Sequence, residues 1–312
     1  MHDVHTHFIP NDVLTWIKDN RSTINATWEK KATDKEKFLI INQKWGFELK
    51  EPFINADLYL EEQHKVGISH SLISPIPQLF LYDFPFEVTN ELSYVYNKSL
   101  ADWIKSKNNR LSGLATVPLN NPEEAANVLK KSMSSGLKGA IIAPMCNGYM
   151  VTHEKFTPFW KEADRLEAIV FIHPLLNDDP RIQKRKMPNL IGVPWETTIC
   201  ATDIVLSGIL DKYANVKILL AHGGGFFPYQ IGRIIKGYEE WSAVSETIKT
   251  SPLQYMKRFW YDSVLLKEET VSYLMQLVGE ERVVPGSDYP FDLSSWPPTA
   301  QNEKGIHELL FK

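Results

Sequence analysis

Two histidines one residue apart, His5 and His7, stand just behind Asp3 in the opening stretch MHDVHTHFIP. Side chains alternate faces along a β-strand, so with Thr6 as the spacer both imidazoles share a face. Two imidazoles on one face can converge on one cation. Three residues of related chemistry stand far along the chain: His173 in AIVFIHP, His222 in VKILLAHGG and Asp288 in RVVPGSDYP. Three neutral imidazoles with one carboxylate and an open position make a catalytic site for zinc or a similar borderline cation. Each residue also has a plain structural use. His173 before Pro174 can close a strand, the glycines after His222 can make a tight turn, and Asp288 before Tyr-Pro can form an Asx-type turn. Their placement relative to the strands is what favours the chemistry.

Short β-rich runs alternate with helix-patterned segments along the chain. DVHTHF comes first, followed by HSLISPI (70–76), LSGLATVPL (111–119), KGAIIAP (138–144), AIVFIHP (168–174), VKILLAHGG (216–224), RFWYDSV (258–264) and RVVPGSDYP (282–290). Gly136 caps the helix-patterned segment before the fourth run. Near-continuous apolar strands between helices signal a parallel sheet buried on both faces. Eight such units at 312 residues predict one α/β domain, a closed (β/α)8 TIM barrel spanning 1–312. An open doubly wound sheet is the competing architecture. Residues 11–57 exceed a simple βα connection and are expected to form a lid-like insertion over the barrel mouth. The histidines and Asp288 all fall at predicted strand ends, which is where barrel enzymes assemble their sites.

Composition is that of an ordinary globular chain, 43% hydrophobic and 23% charged with a net charge of −4. That balance gives no electrostatic footprint for nucleic acid or an anionic membrane, and neither is expected as a partner. Cys146 and Cys200 fit no zinc-ribbon or redox spacing, and two free thiols suit a reducing compartment. No secretory-type leader or membrane-length apolar run is read, so a cytoplasmic location is expected.

The stretches DVHTHF, FIHP, LLAHGGG and PGSDYPF resemble the amidohydrolase superfamily, specifically its aminocarboxymuconate-semialdehyde decarboxylase-like branch. IVLSGILDKYANVKILLAHGGGFFPYQIGR, FWYDSV and GEERVVPGSDYPF extend the likeness, which covers most of residues 1–10 and 58–292. The resemblance implies a barrel with one divalent ion, most often Zn2+. It implies His5, His7, His173 and Asp288 as ligands, Asp288 also taking part in catalysis, and His222 as base or acid beside the ion. Two-metal relatives carry a carboxylated lysine on the fourth strand. Here GAIIAP offers only Ile141 or Ile142 in that run, and Lys138 lies at the wrong end, so one ion is expected. A cation bound by neutral imidazoles lowers its water's pKa towards about 7, and a histidine with an ordinary pKa near 6.5 can carry the proton.

Arg233 matches a family arginine that reaches a substrate carboxylate, sometimes across a dimer interface, and a homodimer is expected. Phe291 matches an aromatic pocket wall. Two departures stand out. The branch prototype carries an arginine in a stretch matching roughly Trp45 to Phe47, but no arginine occurs between Arg21 and Arg110, leaving Lys44 or Lys50 for that task. A pocket tryptophan expected near MPNLIG also gives way, with Asn189 closest. A lysine does not reproduce a bidentate guanidinium fork, so the prototype's substrate does not simply transfer. The expected activity is decarboxylation of a small unsaturated or aromatic carboxylic acid. The alternative is a hydrolase or hydratase acting on an amide, lactone, C–C bond or alkene, and a non-catalytic metal-stabilised interaction protein is a third class.

Overall fold

A computed structural model describes residues 1–30, 37–107, 110–299 and 302–312. The eight barrel strands are β1 (His2–His7), β2 (His70–Ser74), β3 (Leu111–Gly113), β4 (Gly139–Ile142), β5 (Ile169–Ile172), β6 (Lys217–Leu220), β7 (Trp260–Asp262) and β8 (Val283–Val284). Parallel pairing runs β1–β2–β3 and β4–β5–β6–β7–β8. Two seams join these arcs. Ala115 bridges Ala140 in parallel between β3 and β4, and Thr6 bridges Tyr289 between β1 and the β8 end. Backbone bonds from Val4 to Pro285 and from Asp288 to His5 complete the second seam, so the sheet closes and the open-sheet alternative is set aside.

The strands are apolar because both of their faces are covered. All four residues of β4 and of β5 are buried. The helix between β3 and β4 carries clear boundary chemistry. In this helix, Pro122–Ser134, the Asn121 side chain accepts from the Glu124 N–H, and proline takes the first helical position. Its other end is a Schellman cap: Gly136 at φ +103 donates to Met133 O, and Leu137 donates to Ser132 O. This cap fixes the angle at which the chain re-enters the barrel as β4.

Between β1 and α2 (Ala56–Lys65) the chain forms α1 (Asn11–Asp19) and then a separate three-stranded antiparallel sheet. Its strands are Thr27–Lys30, Lys37–Ile41 and Trp45–Glu48. Residues 31–36 of the predicted insertion lie outside the described residues. Leu39 and Phe47 are cross-strand partners and both are buried, so one face of this sheet is apolar. Phe47 meets Phe53 and, from the β8 loop, Phe291, with ring centroids 5.2 and 5.7 Å away. The insertion therefore packs on the loop that follows β8, at the carboxyl end of the barrel.

Candidate active site

Two-residue periodicity aligns His5 with His7 and Phe171 with His173, and the turns after β6 and β8 bring His222 and Asp288 to the same end of the barrel. His5 and His7 project from β1. Phe171 lies edge-on to the His5 ring at 4.9 Å, and His173, two residues further on and just past β5, sits 5.0 Å from the same ring. His222 follows β6, with its ring 5.4 Å from His5 and 5.2 Å from His173. Asp288 follows β8. Its Oδ1 is 3.3 Å from His5 Nε2 and 3.1 Å from His7 Nε2, and its Oδ2 is 3.6 Å from His222 Nε2. Side chains more than 280 residues apart thus share one buried pocket.

Hydrogen bonds on the far side of each ring decide what the near side can do. His5 Nδ1–H donates to Asp262 Oδ2 at 2.5 Å, His7 Nδ1–H to Pro75 O at 2.9 Å and His173 Nδ1–H to Pro174 O at 2.9 Å. With those protons committed, the three Nε2 atoms are left as lone pairs facing inward. His5 Nε2 and His7 Nε2 are only 3.1 Å apart, and His173 Nε2 is buried with no hydrogen-bond partner among the described residues. The inward set is all acceptors, three nitrogens and a carboxylate, which calls for a cation. Ligands about 2.1 Å from one tetrahedral ion lie about 3.4 Å apart, close to the 3.1–3.3 Å spacings among His5, His7 and Asp288. His5, His173, His222 and Asp288 also bring one ligand atom each within 4.8 Å of one another. The residues fit a single divalent ion.

Without an ion, the same charges call a proton onto His5 in its place. Burial pushes His7 and His173 below the ordinary imidazole value, His173 well below it with help from the neighbouring rings, so both stay neutral. Burial also pulls His5 down, but Asp288 and Asp262 outweigh it and hold the ring up to about 10. Burial would raise Asp288 and Asp262, yet the charge and hydrogen bonds of His5 keep both below the usual carboxylate range. Two buried carboxylates demand positive charge, and a divalent ion supplies it better than one proton.

His222 differs from the other three imidazoles. Its Nδ1 has no hydrogen-bond partner among the described residues, and its side chain keeps 15% exposure. What is held is its backbone: the His222 N–H donates to Asp262 Oδ2 and the Gly223 N–H to Asp262 Oδ1. Gly225, at φ +62, lets this loop press on the preceding helix, Val193–Leu206, since a Cβ there would sit 2.1 Å from Pro194 O.

Asp262 is the residue that motif reading passed over. It lies in FWYDSV at the end of β7, and the strand-end rule that picked out the others would have found it. Asp3 is also buried, accepting from Ser287 Oγ and from the Ser287 and His5 N–H groups, and burial raises it to about 7. It ties β1 to the β8 end and does not reach the cluster.

Of the expected substrate contacts, Phe291 is half-buried with its ring 5.2 Å from His7. Lys44 pairs with exposed Asp178 at 2.9 Å, while Lys50 reaches Asp292 at 2.7 Å and Pro290 O at 3.1 Å. Lys50 is therefore tied two residues from Asp288. Asn189 is exposed. Arg233 is exposed in the first turn of the helix Ile231–Glu240 and makes no described contact with the cluster.

A closed parallel barrel with a His-x-His pair on its first strand and further histidines and an aspartate at later strand ends defines the metal-dependent hydrolase type of α/β barrel. Comparison with known proteins makes this specific: residues 2–306 match the amidohydrolase family model, and the chain belongs to that family. Over 303 residues it is 28% identical to 2-amino-3-carboxymuconate-6-semialdehyde decarboxylase of Dictyostelium discoideum, covering 95% of this chain and 83% of that one. Among solved structures, 5-carboxyvanillate decarboxylase LigW from Sphingomonas paucimobilis superposes with a TM-score of 0.81 at 19% identity, over 96% and 90% of the two chains. A dihydroxybenzoic acid decarboxylase from Polaromonas, solved with manganese and 2-nitroresorcinol, gives 0.75 at 19% identity over 95% and 87%.

Proposed function

We propose that this chain is a divalent-metal-dependent decarboxylase of a small unsaturated or aromatic carboxylic acid. The observation that carries the reading is the inward-facing acceptor set of His5, His7, His173 and Asp288, beside His222, whose Nδ1 makes no hydrogen bond among the described residues. The near full-length relative named a decarboxylase supports it. His5, His7, His173 and Asp288 would hold one ion. Zn2+ suits the donor set, and the manganese in the Polaromonas structure makes Mn2+ the second ion to test.

The bound ion supplies Lewis-acid polarisation of the substrate's oxygens. His222 supplies the proton. Its Nε2 faces Asp288 while no described residue bonds its Nδ1, so the ring can face the substrate and hand a proton across. Protonation of the carbon that bears the carboxylate weakens the C–C bond. That bond's electron pair then returns to the carbon skeleton and carbon dioxide leaves. Asp288, 3.6 Å from His222 Nε2, steadies the imidazolium between steps. Phe291 walls the pocket beside His7, and Lys50 or Lys44 stands in for the missing arginine at the substrate's carboxylate.

In this reading the chain is one catalytic barrel and the segment 11–57 is its lid. Arg233 faces a second copy in a homodimer, and the enzyme works in the cytoplasm. The described helices include none long and apolar enough to cross a membrane. The test is carbon dioxide release by Zn2+- or Mn2+-loaded protein from a panel of hydroxybenzoic and aminomuconic acids. We expect release with at least one acid and its loss in His222→Ala with metal content retained. Water-addition or cleavage products without carbon dioxide would instead favour a hydrolase or hydratase.

A further inference from the structure

We propose that Phe47 is a positioning residue: carried by the insertion, it holds the Phe291 ring in the pocket wall, so that the insertion shapes the substrate site as well as covering it. This deepens the decarboxylase reading and rests on its placing of Phe291 beside the substrate. The turn after β8 is secured unevenly. Its first half is bound to β1 by backbone, the Asp288 N–H donating to His5 O at 2.8 Å and the His7 N–H to Tyr289 O at 2.9 Å. The Phe291 N–H closes the turn on Asp288 O at 3.0 Å. The second half is held from the insertion. Lys50 reaches Pro290 O and Asp292, the residues on either side of Phe291. The Phe291 ring itself meets Phe53 at 4.9 Å and Phe47 at 5.7 Å.

The two insertion rings are anchored differently. Phe53 is fully buried and its carbonyl accepts from the Ile9 N–H at 2.7 Å, just past β1, so it is fixed to the barrel. Phe47 stands on the last strand of the insertion sheet opposite Leu39, and both are buried. The three phenylalanines meet pairwise at 64–70°, the edge-to-face arrangement that aromatic rings prefer. Phe291 makes one further ring contact among the described residues, with His7 at 5.2 Å and 72°. Its ring is only half-buried, and the backbone bonds at Asp288 and Tyr289 leave its side-chain torsions unset. What sets them is packing: His7 on one contact, Phe53 and Phe47 on the others. Asp288, by contrast, takes its backbone position from β1. Losing Phe47 therefore loosens the wall and leaves the metal-binding set in place.

The experiment is a double-mutant cycle on metal-loaded protein: Phe47→Ala, Phe291→Ala and the two together, with Phe47→Leu and Leu39→Ala beside them. Each is read by KM and kcat on a hydroxybenzoic acid, by calorimetric affinity for phenol, which has no carboxylate to lose, and by metal affinity in chelator competition. One aromatic pair corresponds to about two- to tenfold in an equilibrium. Phe47→Ala should raise KM and weaken phenol binding by that factor, change kcat less, and leave metal affinity as it was. The double variant should be no worse than Phe291→Ala, because Phe47 acts through that ring. Leu39→Ala, which thins the same apolar face, should lower the thermal midpoint without the rise in KM. If Phe47→Ala does not fold, Phe47→Leu carries the same cycle with a smaller loss. An unchanged KM, additive losses in the double variant, metal affinity falling along with KM, or Leu39→Ala reproducing the rise would each overturn the proposal and reduce Phe47 to packing within the insertion. Absence of carbon dioxide release while phenol binding still follows the cycle would sink the decarboxylase reading and keep the role of Phe47.

Discussion

Replacing Asp262 with asparagine tests the site through a residue that does not touch the proposed ion. The Asp262 carboxylate accepts four donors: Oδ2 takes the His5 Nδ1–H and the His222 N–H, and Oδ1 takes the N–H groups of Gly223 and Val264. An asparagine offers one oxygen, so its NH2 must face two of these donors whichever way it turns. Hydrogen bonds to a charged acceptor contribute about 1.5–3 kcal/mol each, so two lost bonds cost about 3 kcal/mol or more. If the NH2 faces His5, the ring takes the other tautomer and its Nε2 turns from acceptor to donor. Loss of a partner that orients a metal-binding histidine typically costs about 10–100-fold in affinity or activity, or about 1.4–2.8 kcal/mol. The assay is competition against a calibrated chelator, with carbon dioxide release and thermal denaturation on the same samples. We expect weaker metal binding, lower kcat and a lower midpoint. Asp262→Asn binding the ion as tightly as the wild type, with an unchanged midpoint, would refute the claim that Asp262 sets the His5 tautomer.

Three further outcomes are expected. In metal-free protein His5 is held up to about 10 against an ordinary 6.5, so its stabilising contribution is complete below pH 6.5 and fades as pH rises towards 10. Differential scanning fluorimetry should show the metal-free midpoint falling across that window and a flatter profile once an ion displaces the His5 proton; a metal-free midpoint that rises there contradicts the assignment. Gly225→Ala forces a Cβ onto Pro194 O at 2.1 Å in a left-handed backbone conformation, which should cost about 3 kcal/mol or more and pull the His222 loop away from Asp262. Thermal denaturation and turnover check this together. Lys50→Met removes an ion pair to the largely exposed Asp292, worth at most about 1 kcal/mol, so the midpoint should barely move. A rise in KM of about tenfold would mark Lys50 as the substrate-carboxylate clamp, and an unchanged KM would pass that role to Lys44 or Arg233.

Much of this was legible from the sequence because it depends on periodicity. Strand runs between helical segments located all eight barrel strands, and a spacing of two put His5 with His7 on one face. Asp262 was equally legible at the end of β7 but lacked a histidine's conspicuousness. The locks on the rings were not legible at all. Pro75 and Pro174 act through backbone carbonyls, which every residue carries, so no side-chain type marks them. Arg233 illustrates the reverse case. A motif match singled it out, yet within one chain it is an exposed helix residue.

The sequence by itself determined the parts: the number and order of strands, the faces that must be buried, and which side chains with metal-binding chemistry sit at strand ends. Those properties follow from local rules of alternation and hydrophobic pattern that need no knowledge of distant segments. Tertiary structure alone decided that Asp288 lies against His5 and His7, that Asp262 turns the His5 ring, and that three Nε2 lone pairs meet. The reason is closure of the sheet. Joining β8 to β1 converts positions remote along the chain into neighbours about 3 Å apart, and only there do their lone pairs, burial and charge act as one site.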